Sequence, residues 1–281
     1  MRRVKISLSI VFGLFFGLSL YAQKYDGYYD SVRRLKGEKL KSGLYEIIKD
    51  HIEFPYTSKE IDTWDILKES DQDKEYQDNV ILFYTGWSAN GDQEYNNKTG
   101  WDREHVWAKS HGKFKTKTGI GTDLHNLKPT DISVNGARGN EDFDFGGEIY
   151  IDKEGPTECR LDKDSWEPRD EVKGDVARIL FYMAVRYEGD DGEPDLELVD
   201  EVKTFEMNAS GEGYHGKLST LLEWHRNDPP DEFEIRRNEI IYNYQKNRNP
   251  FIDHPKFVKK IWGSPRKTSR ECKLNSVYNV E

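Results

Sequence analysis

The spacing of apolar and polar positions along this chain predicts both helices and strands. Apolar residues recur at the three- and four-residue intervals of an amphipathic helix in five segments: residues 42–51, 58–67, 172–187, 218–225 and 231–245. The clearest pattern is that of 172–187, where Val176, Ile179, Leu180 and Met183 would share one face. We therefore expect these helices to pack against a common core.

Two further stretches have the character of strands. Residues 79–85 (NVILFYT) are rich in β-forming residues and end at a glycine, and residues 101–107 (WDREHVW) are short and extended in character. The sequence TDISVNGARGN at residues 130–140 predicts a helix whose N-cap is its first threonine or aspartate. A strand, a loop and a helix would then bring His105 and Asn135 within reach of one another.

The first residues predict a secretory signal peptide over residues 1–22. Basic Arg2, Arg3 and Lys5 precede an apolar run, and polar residues follow it at once without the stop-transfer pattern of a membrane anchor. A retained N-terminal helix is the alternative. We expect a secreted or periplasmic protein without a stable membrane anchor, whose residues 23–281 form one domain with an exposed acidic insertion at 188–200.

Charge and cysteine content narrow the choice of function. The formal net charge is −10, and about −13 without the basic residues of the signal peptide, which argues against a protein that coats nucleic acid but leaves an enzyme with a local basic cleft open. Cys159 and Cys272 allow at most one intramolecular disulfide. Two distant cysteines and scattered histidines do not give the ligand spacing of a structural zinc protein.

Three residues in the predicted strand and helix suit phosphodiester hydrolysis. His105 can take a proton from water near neutral pH, while Glu104 and Asn135 can offer the hard oxygen ligands that magnesium or calcium prefers. Neighbouring residues on a strand point to opposite sides, so Glu104 and His105 can face one cleft only if the strand ends or twists there. Residue types alone therefore suggest a site with a metal ion and a base, and no more.

Four motifs in order carry a more specific signal. They are WDREHVW, GTDLHNLKPTDISVNGARGN, GDVARILFYM and NRNPFIDHP. Together they resemble the bacterial endonuclease I family of secreted nucleases, within the ββα-metal, or His-Me finger, superfamily. The resemblance covers most of the mature chain and keeps the order of the family's motifs.

This resemblance implies a fold and a set of roles. The fold would be a single α+β domain in which a β-hairpin and one helix clasp one divalent ion and other helices surround them. His105 would be the general base, and Glu104 and Asn135 the metal ligands. The ion would be Mg²⁺, with Mn²⁺ or Ca²⁺ as alternatives. The activity implied is hydrolysis of DNA, and often RNA, with little sequence preference, leaving 5′-phosphates, and we expect the enzyme to be a monomer.

The sequence departs from the family pattern at two points. Ala108 stands where the family usually has a proline, and the insertion that carries a transition-state arginine in some relatives is short here and contains lysines instead. We take Arg138 as the first substitute for that arginine, since it lies three residues after Asn135 on the predicted helix. Arg103 is the second, although it can instead point away and pair with a carboxylate.

Other polar and aromatic residues are expected to be structural. His125 would orient groups behind the site, and Trp101 and Trp107 are expected in the core rather than stacked on bases. The alternatives to a DNA-cleaving enzyme are a secreted ribonuclease with the same site and a surface binding module in which the site is degenerate.

Overall fold

The computed structural model of the chain describes residues 27–203 and 212–263, so the predicted signal peptide and Cys272 lie outside the described residues. The helices are α1 Glu38–Ile48, α2 Thr63–Ser70, α3 Ile132–Arg138, α4 Lys173–Arg186, α5 Leu218–Asn227, α6 Glu232–Gln245, α7 Pro250–Asp253 and α8 Lys256–Trp262. The strands are β1 Asn79–Ile81, β2 Ser88–Asn90, β3 Trp101–His105, β4 Leu127–Asp131, β5 Asp142–Phe143, β6 Glu148–Asp152, β7 Gly155–Leu161, β8 Ser165–Glu167, β9 Glu197–Leu198 and β10 Tyr214–His215.

Helices and strands together form one mixed α+β domain, as expected for the fold class. Strands β5 to β8 make a four-stranded sheet in the order β5-β8-β7-β6, and the other strands form two-stranded pairs. Helix α4 lies at the centre of the helical layer, where it packs against α1, α5 and α7. Every residue of α4 from Gly174 to Arg186 is buried, so the prediction of one apolar face was too narrow.

The ends of two predicted elements differ from the sequence-based expectation for local reasons. Helix α2 begins at Thr63 rather than near residue 58, because the Asp62 side chain accepts the backbone N–H groups of Trp64 and Asp65 and so caps the helix. Strand β1 ends at Ile81 because a turn follows, closed by Gly86 at a positive φ of 70°.

The acidic segment 188–200 is exposed at residues 189–192, 195 and 200, as its composition predicts, but it is also anchored in the fold. Leu196 and Leu198 are buried, and the latter belongs to β9. The ammonium group of Lys41 on α1 lies 2.7 Å from carboxylate oxygens of both Glu188 and Glu197. The segment is therefore held to the helical layer by one ion pair at its start and one between its two buried leucines.

Large aromatic side chains supply much of the core, which compensates for the modest aliphatic content. Trp101, Trp107, Trp166 and Trp224 are almost completely buried, as expected for the first two. Cys159 is buried, and its Sγ donates a hydrogen bond to the backbone oxygen of Tyr84.

His225 on α5 makes the stability of the fold sensitive to acid. Its Nε2 lies 3.0 Å from the Pro255 oxygen, while its Nδ1 is buried and has no hydrogen-bond partner among residues 27–203 and 212–263. Burial, followed by the charge of Arg178, lowers the pKa of His225 to about 4. In the unfolded chain His225 has a pKa of about 6.5, so as pH falls it is protonated there before it is protonated in the folded protein. The contribution of neutral His225 to the free energy of unfolding is therefore complete above about pH 6.5 and declines as pH falls toward 4.

We expect the free energy of unfolding of the wild type to fall between pH 7 and pH 5 by about 1–2 kcal/mol more than that of His225→Gln. The glutamine amide can still donate to Pro255 but does not titrate. Urea denaturation at the two pH values measures this difference. Equal pH dependence in both proteins would contradict the assignment.

Among the helices in residues 27–203 and 212–263, none combines the length and apolar content needed to cross a lipid bilayer.

Candidate active site at the β3–β4 hairpin

The candidate site is built on an antiparallel hairpin followed at once by a helix. In the hairpin, Glu104 of β3 lies opposite Lys128 of β4, and His105 lies opposite Leu127. Asp131 ends β4 and caps α3, because its carboxylate accepts the N–H groups of Ser133 and Val134. The predicted helix and its aspartate N-cap are therefore confirmed, and α3 packs directly against both strands.

His105 is the last residue of β3, so the strand ends where Glu104 and His105 would otherwise have to face opposite sides. The long connection to β4 is tied back at this point. Backbone Val106 N–H donates to the Asn126 oxygen, and the Asn126 side chain bonds to both the N–H and the oxygen of Trp107. The hairpin thus continues past His105 through one backbone hydrogen bond and the side chain of Asn126.

The His105 ring is buried and held in one tautomer. Its Nε2 lies 2.9 Å from the backbone oxygen of Gly121, which can only accept, so Nε2 carries the proton and Nδ1 carries the lone pair. The ring also stacks on Tyr56, with centroids 5.9 Å apart, and contacts Phe114. Within the described residues, Nδ1 has no hydrogen-bond partner. It is also not fully shielded from solvent.

The electrostatic surroundings keep His105 neutral. Burial is the main cause and the charge of Lys109 the next, and together they lower the pKa of His105 to about 3, although the bond to Gly121 opposes them. At neutral pH the imidazole is therefore unprotonated, which is the form that can accept a proton.

Gly121 is required by the loop that holds His105. A Cβ at this position would lie 2.0 Å from the backbone oxygen of Lys115. Only glycine allows the chain to come this close and present its carbonyl to the histidine. The loop that carries Lys115 therefore packs closely against Gly121, the residue that fixes the tautomer of His105.

Glu104 is buried with one carboxylate oxygen engaged and the other not. Its Oε1 accepts a hydrogen bond of 2.7 Å from the Tyr84 hydroxyl and lies 3.3 Å from Nη1 of Arg138. In the part of the chain that the structure describes, Oε2 accepts no hydrogen bond. Burial raises the pKa of Glu104 above its ordinary value, while Arg138 and the Tyr84 hydroxyl act against that rise.

Asn135 is half-buried on α3, the helix that packs on β3. Its backbone oxygen accepts the N–H of Gly139 at the helix end. Among residues 27–203 and 212–263, its side-chain amide makes no hydrogen bond. The Glu104 Oε2 and the Asn135 amide oxygen are thus two hard oxygen donors without a hydrogen bond, on adjacent elements, which suits Mg²⁺, Mn²⁺ or Ca²⁺.

The two arginines that the sequence proposed as phosphate contacts are both enclosed. Arg138 is completely buried; its Nη2 donates to the Val106 oxygen at 2.8 Å, and its Nη1 is the group beside Glu104. The Arg103 guanidinium lies between the rings of Tyr56 and Trp64. Among the described residues Arg103 does not form the ion pair with a carboxylate that was one alternative for it, because these two rings and the oxygens of Tyr56 and Thr63 take up its side chain.

A groove of about 550 Å³ borders the loop that carries Phe114 and Gly119. Lys113, Lys115 and Lys117 line it and are exposed, at alternate positions of the loop. None of the three forms an ion pair with a described residue. Glu53, Asp191 and Glu193 also line the groove, so the three lysines form a basic strip along one loop of a groove of mixed charge, next to the Phe114 ring that contacts His105.

His125, which was expected to orient groups behind the site, is buried against Tyr182, with Nε2 3.4 Å from the Asn247 oxygen. Its neighbour Asp123 accepts hydrogen bonds from the hydroxyl groups of Tyr182 and Tyr187. These contacts connect the start of β4 to α4 and to the chain after α6.

Sequence reasoning missed one buried cluster, formed by His111, Asp142 and His215. A nitrogen or oxygen atom of each lies within 4.8 Å of the others, which is close enough to consider a cation. The two imidazole rings, however, stack with centroids 4.3 Å apart and planes at 27°. The lone pair of an imidazole nitrogen lies in the plane of its ring, so two nearly parallel, stacked rings do not direct their nitrogens at one ion. We therefore interpret the cluster as a hydrogen-bonded network rather than a metal site.

Comparison with known proteins identifies the family of this chain. The family model for endonuclease I matches residues 36–256, which include the whole site. The extracellular ribonuclease of Bacillus subtilis (strain 168) is 54% identical over 238 residues, covering 84% of this chain and 78% of the relative. That of Bacillus amyloliquefaciens is 54% identical over 236 residues, with the same coverage of 84% and 78%.

A more distant relative is named for a different substrate. The periplasmic deoxyribonuclease of Aeromonas hydrophila is 30% identical over 155 residues, which cover 52% of this chain and 53% of the relative. The family match spans most of the chain and confirms the resemblance seen in the motifs. The chain belongs to the endonuclease I family.

Proposed function

We propose that the protein is an extracytoplasmic, metal-dependent endonuclease that hydrolyses phosphodiester bonds of RNA and DNA and leaves 5′-phosphates. The observation that carries the proposal is the pairing of a neutral His105, whose Nδ1 is open, with two unengaged oxygen donors on Glu104 and Asn135. In this proposal β3, β4 and α3 are the ββα-metal core. The extracellular and periplasmic relatives support secretion, for which residues 1–22 would be the signal.

His105 acts as the general base. The Gly121 carbonyl holds the Nε2 proton, so Nδ1 faces the site with its lone pair and accepts the proton of the attacking water. Glu104 Oε2 and Asn135 Oδ1 would hold one divalent ion, which, when bound, stabilises charge on the phosphate and the leaving oxygen. Tyr84 holds the other oxygen of the glutamate and so orients Oε2.

Arg138 has a different role from the one that its spacing suggested. Its guanidinium is completely buried behind Glu104, so it orients that carboxylate rather than touching substrate. Exposed lysines lie on the loop after β3, and the charge of Lys109 acts on both His105 and Glu104. We therefore assign phosphate contact to Lys109 and to the lysine strip of residues 113, 115 and 117.

The names of the most similar relatives reported above favour RNA as a substrate. Those named ribonucleases are 54% identical to this chain, whereas the one named a periplasmic deoxyribonuclease is 30% identical. A site that uses a metal ion and an external water needs no 2′-hydroxyl, so the same groups can cleave both polymers. A ribonuclease that does not cleave DNA is the second candidate.

The test is digestion of supercoiled plasmid and of total RNA, side by side, by the purified mature protein. We expect cleavage of both with Mg²⁺, complete loss with EDTA, and recovery when Mg²⁺ or Mn²⁺ is returned. Cleavage of RNA alone would favour the ribonuclease. No cleavage of either with any of the ions would overturn the proposal and support a binding module.

The lysine strip gives a separate expectation. Replacing Lys113, Lys115 and Lys117 by serine should reduce the slope of log affinity for a nucleic-acid duplex against log salt concentration by about 2 to 3. Binding to a fluorescent duplex in EDTA, which prevents cleavage, measures this slope. The control replaces Lys153, Lys163 and Lys246, which lie outside the groove, by serine. An equal change in both variants would show only a general charge effect.

A further inference from the structure

A chain of buried contacts leads from Glu104 away from the cleft to His215. Arg138 Nη1 lies 3.3 Å from Glu104 Oε1, and Arg138 Nη2 lies 3.4 Å from His215 Nε2. His215 Nδ1 in turn lies 2.9 Å from Asp142 Oδ1. All four side chains are buried, so these contacts are made out of reach of bulk water.

Asp142 determines the tautomer of His215. Its carboxylate is itself fixed, since Oδ1 accepts the N–H of Gly216 and Oδ2 that of Lys203. Although burial raises it, the hydrogen bonds from His215 and from the Gly216 N–H bring the pKa of Asp142 to about 2, so the carboxylate is ionised. An ionised oxygen at 2.9 Å takes the Nδ1 proton, which leaves His215 Nε2 as an acceptor directed at Arg138.

The acceptor nitrogen of His215 matters because Arg138 lies beside Glu104, where its guanidinium could compete with a metal ion for the carboxylate. Its separation of 3.3 Å from Glu104 is longer than the 2.7–2.9 Å of a good charge-assisted hydrogen bond. The guanidinium is drawn the other way by the Val106 oxygen and His215 Nε2, and it rests on the Phe143 ring. If it turned fully toward Glu104, it would form a two-pronged pair and occupy both carboxylate oxygens.

We propose that His215 is a positioning residue that, fixed by Asp142, draws Arg138 back from Glu104 and so keeps the Glu104 carboxylate available to a divalent cation. This rests on the proposed function, because it concerns the same metal ligand. Groups behind a metal ligand commonly change metal affinity by about 10- to 100-fold. His215 acts through one intervening residue, so the lower end of that range, about tenfold, is expected.

The test measures Mn²⁺ binding to the intact mature protein without substrate, by titration calorimetry or by loss of the free-ion electron paramagnetic resonance signal. His215→Phe keeps a ring among Phe143, Trp107 and His111 but removes the acceptor, and it should bind Mn²⁺ about tenfold more weakly. His215→Gln can present an oxygen at the Nε2 position and should restore most of the affinity.

His111→Phe is the matched control. His111 is equally buried and stacks on His215, but its nitrogens bond to the oxygens of Asn140 and Tyr214 and not to Arg138. Its replacement should lower stability and leave Mn²⁺ affinity unchanged. If His111→Phe and His215→Phe weakened Mn²⁺ binding equally, lost packing would explain both results and the inference would be overturned.

The remaining outcomes separate this inference from the proposed function. Wild type that binds no Mn²⁺ would overturn the proposed metal site and the inference with it. Binding by wild type and by His215→Phe with equal affinity would overturn the inference alone. Nitrogen-15 NMR of the wild type gives an independent reading: His215 should be protonated at Nδ1 and not at Nε2, and the opposite tautomer would contradict the proposal even if a variant failed to fold.

Discussion

His105→Ala is expected to lower kcat for cleavage of plasmid DNA and RNA by about 10²- to 10⁴-fold, the usual contribution of a general base. Removing the imidazole takes away the Nδ1 acceptor but not the oxygen donors of Glu104 and Asn135. Substrate and metal binding should therefore change little. Initial rates at saturating Mg²⁺, together with the Kd for a labelled duplex in EDTA, would separate catalysis from binding.

The control for this variant is His254→Ala. His254 is only partly buried and packs against Tyr29 and Phe257, in the C-terminal motif rather than at the hairpin. It should keep the wild-type kcat. If His105→Ala cleaved at the wild-type rate in a preparation free of other nucleases, the assignment of the base would be wrong.

Arg237→Met is expected to reduce the free energy of unfolding by about 3–5 kcal/mol, because it breaks a buried charge network by removing one partner. Arg237 Nε lies 2.9 Å from both Asp71 oxygens, and its Nη2 donates to the oxygens of Leu124 and Leu127. Burial alone would raise the pKa of Asp71, but Arg237 and Lys128 hold it below its ordinary value. The variant removes the donor that Arg237 offers to the oxygens of Leu124 and Leu127 and leaves buried Asp71 with Lys128 as its remaining cationic partner.

Urea denaturation at neutral pH measures this loss, and Lys74→Met is its control. Lys74 lies 3.7 Å from Glu232 in a pair whose side chains are 55% and 83% exposed. Such a surface pair contributes at most about 1 kcal/mol. A loss for Arg237→Met no larger than that of the control would show that the network does not stabilise the fold.

The helices could be predicted from the sequence where apolar spacing and caps agree. Helix α4 was located correctly, but its burial on all sides was not, because Arg178 and Arg186 look like residues of a solvent-facing side. In the fold Arg178 pairs with Glu234, and Arg186 with Glu193. These partners lie too far along the chain, or in too irregular a segment, for a periodic pattern to reveal them.

Strand β4 shows a second limit of sequence patterns. Its sequence LKPTD contains a lysine and a proline and has no alternation of apolar and polar residues, yet all five residues are buried. Lys128 is accommodated because Asp71 accepts its ammonium group at 2.8 Å. The pairing with β3 therefore depends on a carboxylate that no local pattern connects to it.

For the candidate site, the motifs indicated the candidate residues but not the groups that hold them. Glu104, His105 and Asn135 lie on the predicted strand and helix and remain the proposed ligands and base. The groups that hold them, Tyr84 and Gly121, belong to other parts of the sequence and are recognisable only in the fold. Arg138 follows the predicted helical spacing, but its long side chain turns inward, so its position relative to substrate could not be predicted.

The order in which the chain is synthesised bears on when this site can exist. Arg237 bonds to Leu127 across 110 residues, and the Gln245 side chain accepts the N–H of Leu124 across 121. A ribosome that has completed the hairpin must add more than a hundred residues before these supports emerge. The nascent chain therefore carries every proposed catalytic group without the frame that aligns them, and the site is assembled only when translation of the domain is nearly finished.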